Sequence, residues 1–108
     1  MDNLAASDAF AALGHENRLA ILRFLVESGP GGADATTLSA ELDIAWTTLS
    51  HHLDHLKRSG LVRGRKQGRR VIHTAQFDTV QALSSFLMQN CCVRQPATDT
   101  QLPQGEPA

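Results

Sequence analysis

The sequence predicts a mainly α-helical fold with one small β-hairpin, and three observations carry that prediction. Apolar residues recur at helical spacing through residues 3–59. The period shortens over 61–75, where Val, Ile and Thr alternate with polar residues around a glycine turn. A length of 108 residues with 42% apolar side chains suits one domain and one core, without a separate lid or second domain.

An Ala-rich helix is expected over 3–13, closed by Gly14. A second follows over 16–28 with Leu19, Leu22, Leu25 and Val26 as its apolar stripe, stopped by Gly29, Pro30, Gly31 and Gly32. Asp34 is placed to cap a third helix whose Leu38 and Leu42 face inward. A tight turn over 43–45 leads to a fourth helix over 46–59, with Leu49, Leu53 and Leu56 buried and Gly60 as its stop. Two helices joined by so short a turn make a helix-turn-helix. Short strands over 61–66 and 70–75 flank Gln67, Gly68 and Arg69 as a hairpin with a basic tip. The last helix is expected to start at a capping box formed by Asp78 and Gln81, with Val80, Leu83, Leu87 and Cys91 along one stripe. From Pro96 the composition turns to Pro, Gln, Thr and Gly, so residues 1–92 are read as the folded domain and 93–108 as a disordered tail. The order helix, helix, helix-turn-helix, basic hairpin, helix is that of a winged helix-turn-helix.

The net charge of −1 conceals a strong asymmetry. Seven of the ten Lys and Arg residues lie between Lys57 and Arg70, and residues 46–75 contain one acid, Asp54. That segment carries +6 and the remainder −7. A clustered cationic excess attracts polyanions whatever the total charge, so double-stranded DNA is the expected partner. On the fourth helix, Thr47, Thr48, Ser50, His51 and His52 supply hydroxyl and imidazole groups for base edges and phosphates, with Lys57 further along. In the hairpin, Arg65, Lys66, Arg69 and Arg70 join Arg63 in offering charge to the backbone, and Arg69 at the tip is the residue expected to reach a groove. His51 and His55 share the i, i+4 spacing of a metal-binding helix face, but no third donor lies nearby, so packing or solvated histidines are the plainer reading. A Ser50–His hydrolase lacks an acid partner and an oxyanion loop.

The runs Leu13-Gly14-His15-Glu16-Asn17-Arg18-Leu19-Ala20-Ile21-Leu22, Leu49-Ser50-His51-His52-Leu53 with Leu56, and Gly60-Leu61-Val62 with Gly68-Arg69 closely resemble the ArsR family of metal- and metalloid-responsive bacterial repressors. The resemblance covers roughly residues 4–92. It implies a homodimer held by the first and last helices, with Leu4, Phe10, Leu13, Val80, Leu83 and Leu87 at its core, reading a palindromic operator with two copies of the fourth helix. One departure is Ala45, which stands where the family usually has a Ser or Thr cap.

Cys91 and Cys92 are the two cysteines of the chain. Read from the residues alone, they are either a thiol pair made reactive by nearby Arg94 or ordinary buried thiols at a helix end. They resemble the C-terminal Cys-Cys pair of one arsenite-sensing branch. The third helix lacks that family's Cys-x-Cys, the last helix lacks its Asp-x-His zinc site, and the second helix lacks the cysteine of its persulfide-sensing branch. The resemblance therefore implies no constitutive cofactor and As(III) or Sb(III) as effector at Cys91 and Cys92, with the third arsenic ligand coming from outside the pair. A redox- or reactive-sulfur-responsive repressor of the same fold is the alternative. A small thiol oxidoreductase is a weaker one, since there is neither a Cys-x-x-Cys loop nor a β-α-β pattern. The acidic start, the absence of a long apolar run and the adjacent cysteines imply a cytoplasmic protein without a membrane partner.

Overall fold

A computed structural model describes residues 1–95. Five helices and a three-stranded sheet follow in the order α1 (Asn3–Ala12), α2 (Glu16–Ser28), a 3-10 turn (Gly29–Gly31), β1 (Ala33–Asp34), α3 (Ala35–Leu42), α4 (Trp46–Arg58), β2 (Val62–Gln67), β3 (Arg70–Ala75) and α5 (Phe77–Met88). The expected mainly helical, winged architecture is present. The expected tail lies mostly outside the described residues, and its first three residues, 93–95, continue a run of turns.

Capping explains where most helices begin. Asp2 accepts from the Ala5 N–H at 2.8 Å and Asp34 from the Thr37 N–H at 2.9 Å, so each satisfies one of the amides a helix start leaves unpaired. His15 does the same for α2, its Nδ1 accepting from the Asn17 N–H at 3.1 Å. Helix α5 differs from expectation. Its N-cap is Gln76, whose side chain makes no capping bond, and Asp78 lies in the first turn. The reason is the preceding strand: the Gln76 N–H donates to the Leu61 carbonyl at 2.8 Å, which ends the sheet and starts the helix earlier than the sequence signal.

The core is made where α2, α3, α4 and α5 meet the sheet, with Ile21, Leu25, Leu38, Leu49, Leu56 and Leu61 fully buried. Helix α1 contributes only alanines, Ala6, Ala9 and Ala12, which let it lie close against the domain. The buried face of α2 is Ile21, Leu22 and Leu25, whereas Leu19 and Val26 are exposed. The expected α2 stripe is thus rotated: a Leu-rich helix offers two adjacent apolar stripes, and packing selects one. Of the residues assigned to a dimer core, Leu83 is buried within this chain and Leu13 and Val80 pack partly against it, while Leu4, Phe10 and Leu87 stay exposed.

The sheet order is β1-β3-β2, all antiparallel. The hairpin register pairs Gln67 with Arg70, so Gly68 and Arg69 form a two-residue turn. Gly68 has φ 69°, the left-handed backbone that such a turn needs. Strand β1 is an addition that the sequence reading lacks. It pairs Ala33 with His73 and Asp34 with Ile72, bringing the wing onto the residues that start α3. Gly32 makes this approach possible: at φ 64°, a Cβ there would stand 2.2 Å from the His73 carbonyl oxygen.

Gly32→Ala is expected to cost at least about 2 kcal/mol, because strain at positive φ adds to a clash with backbone. Gly29→Ala, at φ 70° but with open space around it, is expected to cost about 1 kcal/mol. Urea unfolding of the two variants checks the order.

Candidate nucleic-acid interface

The α3–α4 turn sets the attitude of α4. Asp43 adopts the left-handed conformation at φ 54°, the Ile44 side chain is buried, and Ser39 Oγ donates to the Ile44 carbonyl at 2.6 Å. Helix α4 then starts without a side-chain cap at Ala45, its first closing bond running from the Leu49 N–H to the Ala45 carbonyl at 2.8 Å. Burying Leu49, Leu53 and Leu56 on one face turns Thr47, Thr48, Ser50 and His51 outward on the other. Lys57 and Arg58 continue that polar face toward the wing.

His52 is a correction to the expected set. It is buried beneath the exposed face, its ring centroid 4.5 Å from that of His15 at a tilt of 46° and its Nδ1 facing the Arg18 guanidinium at 3.4 Å. Arg18 also donates through Nε to the Ala12 carbonyl. Together these residues join the α1–α2 connection to the back of α4, so His52 seats the helix. The i, i+4 periodicity alone could not assign it, because position 52 lies on the border of the buried stripe.

The wing divides its charges between two faces. Paired residues in antiparallel strands share a face. Arg63 with Thr74 and Arg65 with Ile72 therefore lie on one side, Gly64 with His73 and Lys66 with Val71 on the other. The second side is the one turned toward α4, since a Cβ on Gly64 would meet both His73 Nδ1 and Lys57 Nζ at 3.6 Å. Arg65, exposed on the wing, is therefore on the face turned away from α4. It lines, with Arg63, a cleft against the start of α5. Arg69 is exposed at the tip. Arg70 is committed to Asp34, with Nη2 at 2.9 Å and Nε at 3.0 Å from Oδ2, so it ties the wing to the α3 start as well as offering charge. The same carboxylate is held below its ordinary pKa, chiefly by the Thr37 bonds and then by Arg70.

The expected Cys91 position is also corrected. Helix α5 stops at Met88, and Asn90 and Cys92 take positive φ of 61° and 68°, so both cysteines ride on turns beyond the helix and are exposed. Asn90 in the left-handed region is the stop signal that the apolar stripe obscured. The two Sγ atoms face each other at 2.6 Å. Cys91, rather than Arg94, governs its neighbour: its hydrogen bond and charge push the Cys92 thiol above its ordinary pKa. Among the described residues no group of three or more His, Cys, Asp or Glu side chains gathers as a metal site, and no helix is long and apolar enough to cross a membrane.

Burial holds His52, His55 and His73 below the ordinary imidazole value of 6.5, with Arg18 adding to the first two and Lys57 to the third. Just below that pH the unfolded chain binds more protons than the folded one, so stability is full above 6.5 and is lost as pH falls. A thermal midpoint that declines below pH 6.5, with a shallower decline in His73→Gln, is the expected result of melting experiments across pH.

A family model described as a helix-turn-helix domain matches residues 13–65. An HTH-type transcriptional regulator of Methanocaldococcus jannaschii is 40% identical over 63 residues, spanning 58% of this chain and 68% of the relative. The transcriptional activator HlyU of Vibrio cholerae is 33% identical over 81 residues, spanning 75% of this chain and 72% of the relative. Among solved structures, an ArsR-like transcriptional regulator from Rhodococcus sp. RHA1 superposes with a TM-score of 0.69 at 28% identity, covering 78% of this chain and 76% of that one. HlyU from Vibrio cholerae N16961 does so with a TM-score of 0.67 at 31% identity, covering 85% and 99%. The family model spans α2 to α4 and enters β2, and the chain belongs to the ArsR family of winged helix-turn-helix transcriptional regulators, proteins that act on transcription and are not enzymes.

Proposed function

We propose that this chain is a homodimeric repressor that binds palindromic operator DNA and is released when a trivalent metalloid, arsenite or antimonite, binds Cys91 and Cys92. The single observation that carries the effector reading is the exposed, face-to-face thiol pair at the end of α5. Soft sulfur donors select soft thiophilic ions. Condensation with arsenous acid balances without an oxidant: two S–H protons leave with two hydroxyls as water, two As–S bonds replace two As–O bonds, and the third hydroxyl remains or exchanges with an external thiol.

Dimerisation draws on the apolar side chains that α1 and α5 leave uncovered, Leu4 at 72% exposure, Leu87 at 65% and Met88 at 66%, with Phe10 beside them. A structural neighbour from Mycobacterium bovis, with a TM-score of 0.65 and 25% identity, is described as a homodimeric winged helix-turn-helix DNA-binding domain. Since the thiols sit directly beyond α5, a ligand there would act on the spacing of the two α4 helices. Release requires only that the ligand bind the DNA-free arrangement more tightly.

A redox regulator is the second reading, supported by the same sulfur contact and by a neighbour described as reduced HlyU. Geometry weighs against it. Adjacent Cα atoms stand about 3.8 Å apart, inside the lower limit of about 4.4 Å for an unstrained disulfide, whereas a bridging arsenic atom enlarges the ring.

The test is fluorescence anisotropy on a duplex that the chain selects from a random library, titrated with sodium arsenite and separately with hydrogen peroxide. Arsenite is expected to release wild type and to leave the Cys91→Ser, Cys92→Ser double variant bound. Release of the double variant by arsenite removes the metalloid reading, and release of wild type by peroxide alone establishes the redox one. In the same assay Arg69→Ala is expected to weaken binding similarly on all sequences and to lower the salt slope by about one.

A further inference from the structure

Trp46 is the only tryptophan of the chain and the first residue of α4, and it is 54% exposed. An apolar ring of this size left open at the start of the polar face of α4 has no role in the core. It forms one wall of a groove of about 260 Å³ between the start of α4, the start of α3 at Ala35 and Thr36, and the wing. Val71 and His73 make the wing side, with Arg69 at the rim, and Asp34 and Arg70 close the α3 end. The Asp34 carboxylate is paired with Arg70 at 2.9 Å, which leaves Arg69 as the unneutralised charge of the groove among the described residues.

We infer that this groove seats one sugar–phosphate strand of the DNA duplex, with Trp46 packed against deoxyribose and Arg69 paired with a phosphate. The inference rests on the DNA-binding reading of α4 and the wing. When a helix occupies the major groove and a second element reaches the neighbouring minor groove, the strand that divides the two grooves must pass between them. The groove lies at that place. Its lining has the two chemistries a backbone strand presents: an apolar ring for the C–H edges of the sugar, and a guanidinium for the phosphate oxygens. The +6 charge of residues 46–75 supplies the complementarity that commits the groove to a polyanion.

A lone tryptophan makes the test direct. The full chain is titrated with a short mixed-sequence DNA duplex, suitable because a backbone contact is independent of sequence, while tryptophan emission and the anisotropy of labelled duplex are both read. Wild-type emission is expected to change in step with the anisotropy. Trp46→Ala is expected to bind about tenfold more weakly with an unchanged salt slope, the factor that burial of roughly 55 Å² of apolar surface supplies. Trp46→Phe is expected to recover most of the affinity, and the thermal midpoint of both variants to stay near that of wild type, since the ring is outside the core. Unchanged emission during saturable duplex binding overturns the inference, as does wild-type affinity in Trp46→Ala or a lowered salt slope in that variant; in each case DNA binding itself stands. If wild type shows no salt-sensitive anisotropy change with any duplex, the DNA-binding reading fails and this inference with it.

Discussion

The seating of α4 through Leu49, Leu53 and Leu56 is the interaction on which the rest of the structure depends. Full burial of a leucine side chain is worth about 1.5–3 kcal/mol. Three on one face of a 13-residue helix therefore outweigh the cost of about 1 kcal/mol for the capping bond that Ala45 does not supply. The helix keeps its start at Trp46, and its outward face is fixed as the complement of its inward one. Thr47, Thr48, Ser50 and His51 are exposed because the leucines are not.

The polar contacts behind α4 refine that seating. His52, His15 and Arg18 fill the seam between the helix and the α1–α2 connection with a tilted ring contact and a hydrogen bond instead of more hydrocarbon. Such a seam depends on the protonation state of His52, whose charged form burial disfavours, so it is looser in acid than the leucine seam beside it. The uneven distribution of charge acts at longer range. Cations on α4 and the wing oppose acids on the remaining elements, which orients the approach to a polyanion before any contact forms.

Much of this was legible in the sequence. Helix α2 falls on the expected residues, and α4 and both hairpin strands match within a residue, because glycines and the change of period mark them. Four features were hidden, each for a physical reason. The face of α2 could not be chosen among adjacent leucine stripes. Strand β1 is two residues long and exists only through its pairing with β3, so it leaves no local pattern. The α5 cap was displaced by the Gln76–Leu61 bond that ends the sheet. Within the site, His52 has the right chemistry for DNA but faces inward, and facing is set by packing. Trp46 would be expected to pack and so make up for the cap that Ala45 lacks, yet it stays exposed, an aromatic residue at a helix start that the buried stripe does not need.

Asp34 belongs at once to a strand, a helix start and an ion pair: it pairs with Ile72, caps α3 and holds Arg70. Through it the wing and the helix-turn-helix are geared together, since neither α3 nor the hairpin can tilt without dragging the other. In the proposed dimer each subunit would then carry its reading elements as one jaw, the wing and the α3 start joined at Asp34. In the proposed switch, a ligand at the far end of α5 would have little to gain by bending such a jaw and would instead change how far apart two jaws are held, so its sensitivity would be set by leverage along α5 and not by softness in the head.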